Sequence, residues 1–115
     1  MHIRSVETSA LLAIRPREAR GISEMNIVMV GSGYVGLTTG VCLAHIGHRV
    51  ICIEIDQEKL KKLRAGIVPF FEPKLDKLLK TYHKRGKIVF DHELAPHILD
   101  ADAIFLAVQT PQDKD

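Results

Sequence analysis

The chain has 115 residues, enough for one small domain. Its 16 basic and 14 acidic residues leave a net charge of +2 without any Lys/Arg stripe, which argues against a nucleic-acid partner. Because no apolar stretch reaches the roughly 20 residues that cross a bilayer, a membrane partner is not expected either.

Residues 1–24 mix arginines with short apolar pieces and show no sustained period. The apolar run over 10–14 is too short for a secretory signal. The arginines resemble those of a transit peptide, but Glu7 and Glu18 argue against one. We therefore expect a disordered extension over 1–24 and a working domain that begins at Met25.

From Met25 onward, predicted strands and helices alternate. The strands are predicted over 26–30, 49–55, 87–90 and 103–108, and the helices over 37–46, 57–64, 74–84 and 93–99. This alternation predicts right-handed crossovers and a doubly wound, mostly parallel sheet of the α/β Rossmann type. Four strands are fewer than such a domain usually carries, so we expect the domain over 25–115 to be truncated at its C-terminal end.

A glycine-rich loop joins the first of these strands to the first helix. The sequence Gly31-Ser32-Gly33-Tyr34-Val35-Gly36 matches G-x-G-x-x-G. Gly31 permits a tight turn, Gly33 lets the backbone approach a pyrophosphate, and Gly36 lets the helix pack closely against the strand. Since the helix N-terminus faces the phosphates, all six residues are predicted to bind a dinucleotide.

Glu54 ends the second predicted strand, 18 residues after Gly36. This is close to the spacing of the acid that binds the adenosine ribose. Its carboxylate would accept hydrogen bonds from both hydroxyls and repel the 2′-phosphate of NADP, so NAD is the predicted cofactor. Asp56 competes for this role but is better placed as a helix cap. Lys59, close enough to touch the ribose, leaves binding of a 2′-phosphate open.

Neither the cysteines nor the histidines form a recognisable catalytic or metal centre. Cys42 and Cys52 have no CxxC spacing and no neighbouring ligands, so neither a disulfide nor a zinc site is predicted. Because both lie among apolar residues, we expect packed core thiols in a reducing cytoplasm.

Four segments in order resemble the N-terminal NAD-binding domain of the UDP-glucose dehydrogenases. These segments are GSGYVG, IEID, PFFEP and AVQTP, and the likeness extends from Met25 to Asp115. The wider family includes the GDP-mannose and N-acetylmannosamine-nucleotide dehydrogenases. The resemblance implies that Gly31–Gly36 holds the pyrophosphate and Glu54 the ribose, with Lys59 beside it. It also implies that Val108, Gln109, Thr110 and Pro111 line the cofactor towards its nicotinamide.

The sequence departs from the family pattern at several positions. Glu54 stands where the family commonly has the shorter Asp, Gln109 replaces a small residue or Asn, and Gln112 replaces a common Thr. Glu72, in the family loop near the substrate side, receives no chemical role.

The resemblance also implies an activity for the whole protein. Family members oxidise the C6 alcohol of a nucleotide sugar to a carboxylate, as in UDP-glucose to UDP-glucuronate, with two NAD. Their catalytic cysteine lies downstream of the region present here, so Cys42 and Cys52 do not inherit its role and no catalytic residue is assigned. We expect this fragment to be inactive alone, the nucleotide sugar to bind a missing domain, and the full-length protein to form a homo-oligomer.

Two other classes of function compete with the dehydrogenase. A stand-alone nucleotide-sensing regulatory module would use the same glycine loop and acid without catalysis. The PFFEP and VQTP segments favour the dehydrogenase. An S-adenosylmethionine-binding domain would not require three glycines at this spacing.

Overall fold

A computed structural model describes residues 8–14 and 24–109 of the chain, and strands and helices alternate through most of it. The strands are β1 (Thr8–Ile14), β2 (Asn26–Val30), β3 (Arg49–Ile53), β4 (Ile88–Asp91) and β5 (Ala103–Gln109). The helices are α1 (Tyr34–His45), α2 (Gln57–Arg64), α3 (Pro73–Lys84) and α4 (Ala95–Ile98). None of the helices in the described ranges is long and apolar enough to cross a membrane.

The described strands form one sheet in the order β1-β5-β2-β3-β4. Strand β2 pairs in parallel with both β3 and β5, and β3 pairs in parallel with β4. The chain order reverses direction across β2, so a crevice opens at the carboxyl ends of β2 and its neighbours. The predicted α/β architecture with a mostly parallel sheet is confirmed.

Strand β1 differs from the expectation for the N-terminal region. The sequence predicted no regular structure over residues 1–24, whereas Thr8–Ile14 pairs antiparallel with β5, from Thr8 opposite Gln109 to Ile14 opposite Ala103. The outer edge of β5 offers backbone N–H and C=O groups that need partners. Any extended segment can meet this need through its backbone, so side-chain periodicity gave no signal of the pairing.

Alternate side chains of the strands point to opposite faces of the sheet and divide the core in two. Met29, Val50 and Cys52 face α1 and α3 and belong to the larger apolar cluster. Val28 and Ile53 face the opposite side, where they pack with Ala101 in a smaller cluster. The larger cluster therefore fixes α1 against the strands that flank the crevice.

Two boundaries near the crevice differ from the predicted ones. Helix α1 begins at Tyr34 rather than at residue 37, because extended Gly33 already serves as its N-cap. Strand β3 ends at Ile53 rather than at residue 55. The Glu54 N–H still donates to the Asp91 carbonyl at 2.8 Å, and beyond it the Asp56 N–H donates to the Glu54 carboxylate at 2.8 Å.

The prediction that both cysteines are core thiols is half correct. Cys52 is fully buried, and burial, followed by the negative charge of Glu54, raises the pKa of its thiol to about 12. Cys42 is exposed, so its predicted burial was wrong. The buried face of α1 contains Leu37, Val41 and Ala44 at helical spacing, and position 42 is turned about 100° away from Val41.

Candidate functional site

The glycine loop is tied directly to the strand that precedes the acid. Gly31 has φ of +103°, which a residue with a side chain rarely adopts. Its N–H donates to the Ile53 carbonyl at 2.9 Å, across from β3. The turn that enters the loop and the position of Glu54, the next residue after Ile53, are therefore fixed together.

Gly33 and Gly36 differ in what surrounds them. A Cβ at Gly36 would overlap the Gly31 carbonyl oxygen and lie 3.3 Å from the Cβ of Ala107. A Cβ at Gly33 would have no atom within 4 Å. Gly36 is thus required by packing within the protein, whereas the space beside Gly33 is open to a ligand.

The N-terminus of α1 faces the crevice. The first bond of this helix joins the Leu37 N–H to the Gly33 carbonyl at 2.8 Å. The amides ahead of Leu37 have no acceptor within the helix, and the positive end of the helix dipole lies behind them. This arrangement suits an anionic group such as a pyrophosphate.

Glu54 lies beside the loop and is only 7% exposed. One carboxylate oxygen accepts a hydrogen bond from the Ser32 hydroxyl, and the other accepts from the Asp56 N–H. Both contacts are hydrogen bonds rather than ion pairs. A carboxylate has about four acceptor positions, so this one retains acceptor capacity towards the crevice.

Asp56 and Lys59, the other two charged residues considered for the ribose site, occupy different positions relative to Glu54. The Asp56 side chain accepts from the N–H groups of Glu58 at 3.0 Å and Lys59 at 3.1 Å, which makes it the N-cap of α2 as predicted. Lys59 is exposed and lines the crevice with Glu54. The structure therefore brings a cation and an anion to the same wall.

The crevice has a volume of about 320 Å³ and collects most of the predicted site residues. Its lining includes Gly31, Ser32, Gly33, Tyr34, Val35, Glu54, Ile55, Lys59 and Ala107. Val108 and Gln109 continue β5 beyond Ala107, but only their backbone is described. Thr110 and Pro111 lie outside the described residues.

The contact between the loop and the PFFEP segment was not predicted from the sequence. The ring of Tyr34 lies 5.5 Å from that of Phe70 with an interplanar angle of 54°. Phe71 is 92% exposed beside them. Aromatic residues clustered in a predicted irregular stretch were the available signal that this stretch packs against the site.

A second cavity, of about 370 Å³, lies at the opposite ends of the same strands. Its lining includes Asn26, Arg49 and Lys87 but none of the predicted site residues whose side chains the structure describes. Although it is slightly larger, it lies away from the carboxyl ends of the strands, where α/β sheets bind their ligands.

The parallel sheet, the glycine loop at a helix N-terminus and the acid after the next strand together define a nucleotide-binding α/β domain of the Rossmann type. Residues 25–115 match the model of the UDP-glucose/GDP-mannose dehydrogenase family, NAD binding domain. The UDP-glucose 6-dehydrogenase YwqF of Bacillus subtilis is 47% identical over 91 residues, which are 79% of this chain and 21% of that protein. The UDP-glucose 6-dehydrogenase of Rhizobium meliloti is 42% identical over 87 residues, or 76% of this chain and 20% of that protein.

Solved structures give the same result. A ternary complex of GDP-mannose dehydrogenase from Pseudomonas aeruginosa matches with a TM-score of 0.71 and 31% identity, covering 78% of this chain and 21% of that one. A UDP-glucose dehydrogenase from Pyrobaculum islandicum matches with a TM-score of 0.64 and 26% identity over 77% of this chain and 20% of that one. The chain belongs to the UDP-glucose/GDP-mannose dehydrogenase family, and its cofactor is NAD. It spans about a fifth of the length of the curated relatives it matches.

Proposed function

We propose that the crevice between β2 and β3 holds NAD with its pyrophosphate at the glycine loop and its adenosine ribose at Glu54. The observation that carries this proposal is the position of the Glu54 carboxylate, which lines the same crevice as residues 31–35 and touches Ser32. The fit of the cofactor is supported by the open space at Gly33 and by the α1 amides ahead of Leu37.

The charges of the crevice favour NAD over NADP. Glu54 can accept hydrogen bonds from the two vicinal ribose hydroxyls, and its negative charge opposes a 2′-phosphate. Lys59 lies on the same wall and is exposed, so we propose that it contacts the outer side of the ribose and weakens this preference only in part. We further propose that Val108, Gln109, Thr110 and Pro111, which follow Ala107 at the crevice, line the path towards the nicotinamide.

For the whole protein we propose oxidation of the C6 alcohol of a UDP-sugar, with UDP-glucose as substrate and two NAD as oxidant. The names of the relatives, UDP-glucose 6-dehydrogenases, support this assignment. Bound NAD supplies a hydride acceptor, and the residues of this chain bind and orient it. No residue here is assigned to the chemical step, so the 115 residues alone are expected to bind NAD without turnover. We also propose that the full-length protein is a homo-oligomer and that it is cytoplasmic. The free thiols of Cys42 and Cys52 favour the cytoplasmic location.

Calorimetric titration of the 115-residue chain with NAD and with NADP tests the cofactor site. We expect NAD to bind more tightly, and Glu54→Gln to narrow the preference by about tenfold, because charge-assisted hydrogen bonds contribute about 1.5–3 kcal/mol. Glu58→Gln removes the same charge from an exposed position on α2 and should leave the preference unchanged. Equal affinities for NAD and NADP in the unmutated chain would contradict the assignment of Glu54.

A further inference from the structure

Ser32 and Glu54 are the two buried polar side chains in the described part of the chain. Ser32 is 1% exposed and Glu54 is 7% exposed, and they are bonded to each other although 22 positions separate them in sequence. Burial of a carboxylate is unfavourable unless hydrogen bonds compensate for the lost water. The hydrogen bond from the Ser32 hydroxyl therefore helps to determine the position and orientation of the Glu54 carboxylate.

The carboxylate is held at two points that come from different elements. The Ser32 hydroxyl donates to Oε1 from the loop after β2. The Asp56 N–H donates to Oε2 at 2.8 Å from the start of α2. Two contacts on two oxygens fix the plane of the carboxylate as well as its position. The acceptor positions left over then have a set direction.

We propose that Ser32 is a positioning residue for ribose recognition: its hydroxyl orients the Glu54 carboxylate so that its free acceptor positions meet the two ribose hydroxyls of NAD. This inference rests on the proposed function. A glutamate has one more rotatable bond than an aspartate and loses more side-chain entropy when it is fixed. The hydrogen bond with Ser32 restricts rotation of the glutamate side chain before the ligand binds, which lowers the entropic cost of binding.

Ser32 also connects the two halves of the proposed site. It lies between Gly31, which is bonded to the Ile53 carbonyl, and Gly33, the N-cap of α1. A loop conformation that binds the pyrophosphate therefore also fixes the orientation of the Glu54 carboxylate, which is proposed to bind the ribose. The expected consequence is that loss of the hydroxyl weakens recognition of the ribose specifically, rather than recognition of the phosphates.

Titration of the full 115-residue chain with ADP and with 2′-deoxy-ADP separates these roles, because the two ligands differ only in one ribose hydroxyl. We expect the unmutated chain to prefer ADP by about tenfold, the value of one charge-assisted hydrogen bond. Ser32→Ala should reduce this preference to about threefold or less. If it instead weakened both nucleotides equally, the hydroxyl would be a phosphate ligand and the proposal would be overturned.

Glu54→Asp keeps the charge but draws the carboxylate back from Ser32, from the Asp56 N–H and from the ribose. In this background Ser32→Ala should cause little further loss of the preference for ADP, because the hydroxyl acts on the ribose only through a carboxylate within its reach. Independent, additive losses would overturn the proposal. Thr38→Val is the matched control: its hydroxyl oxygen is buried without a hydrogen-bond partner among the described residues, so the preference should not change.

The same titrations distinguish this inference from the proposed function. If Glu54→Gln abolishes the preference for ADP while Ser32→Ala leaves it intact with an unchanged unfolding midpoint, Glu54 still binds the ribose and only the role of Ser32 is rejected. If the unmutated chain binds neither ADP nor NAD, the proposed function is rejected and the role of Ser32 with it.

Discussion

The β1–β5 edge and the β2–β3 crevice are held in different ways. At the edge, Thr8–Ile14 pairs with β5 through the backbone, outside the part of the chain that matches the family. At the crevice, the loop, Glu54 and the start of α2 are joined by specific contacts such as Ser32–Glu54 and Gly31–Ile53. Backbone pairing can add an edge strand to a sheet with little dependence on side chains, whereas the crevice requires particular residues. We therefore expect changes at the edge to affect stability, and changes at the crevice to affect binding.

The largest effect is expected at Gly36, because both the stability of the fold and the shape of the glycine loop depend on this residue. Gly36→Ala would drive a methyl group into the Gly31 carbonyl, and we expect a loss of about 3 kcal/mol in the free energy of unfolding together with loss of NAD binding. Gly33→Ala has open space for its methyl group and should keep the unfolding free energy while weakening NAD by about tenfold or more. Urea unfolding and calorimetry measure the two quantities. Equal destabilisation by both variants would contradict the distinction.

Removal of residues 1–23 tests the edge. The deletion would expose the outer N–H and C=O groups of β5, and we expect a loss on the order of 2 kcal/mol in unfolding free energy and increased self-association. The affinity of the folded fraction for NAD should not change, because β1 pairs with the outer edge of β5, whereas residues 31–35 and Glu54 lie at the ends of β2 and β3. Deletion of residues 1–7 alone leaves β1 and is the matched control. Sedimentation measures self-association and urea unfolding measures stability. A monomer that is equally stable without β1 would show that β1 does not protect the edge of β5.

A smaller effect is expected at Asp91, at the carboxyl end of β4. Its hydrogen bond with His97 at 2.7 Å, followed by the N–H groups of His92 and Glu93, lowers the pKa of this carboxyl against the opposing effect of burial. The stabilisation is present above the pKa of the unfolded carboxyl and is lost as pH falls through the lower pKa of the folded state. Asp91→Asn should therefore remove about 1 kcal/mol at neutral pH.

The difference between Asp91→Asn and the unmutated chain should shrink in acid, which unfolding at neutral pH and near pH 3 measures. Asp76→Asn removes a carboxyl from an exposed pair with Lys80 on α3 and should change stability by at most about 0.5 kcal/mol. A loss at Asp91 that is the same at both pH values would show that packing, and not the carboxylate charge, is responsible.

The central part of the fold could be predicted because local signals and packing agree there. The run over 26–30 ends in a glycine loop, and Asp56 stands where a cap is needed, so β2 and α2 have the predicted bounds. Gly40 lets α1 pack closely against the sheet, since a Cβ there would lie 3.2 Å from the sulfur of Cys52. The crevice residues 31–35 and Glu54 could be predicted because the glycine motif stands between a buried strand and a helix, and the acid ends the next strand at the expected spacing.

What could not be predicted depends on contacts between distant residues. The pairing of β1 with β5 joins positions 89 to 101 apart through backbone atoms, and backbone pairing leaves no pattern in side chains. The bond between Ser32 and Glu54 is a matter of side-chain reach, which spacing does not reveal. Cys42 has apolar neighbours in sequence but is turned outward by the helix.

The burial of Cys52 gives the protein a reporter of its own motions. This sulfur lies beneath Gly40 of α1, and its pKa of about 12 leaves almost no thiolate at neutral pH. A thiol reagent can reach it only after the core around it opens, whereas Cys42 is exposed in the folded chain. The ratio of the two labelling rates therefore measures how often this part of the core opens, without any cysteine having to be introduced.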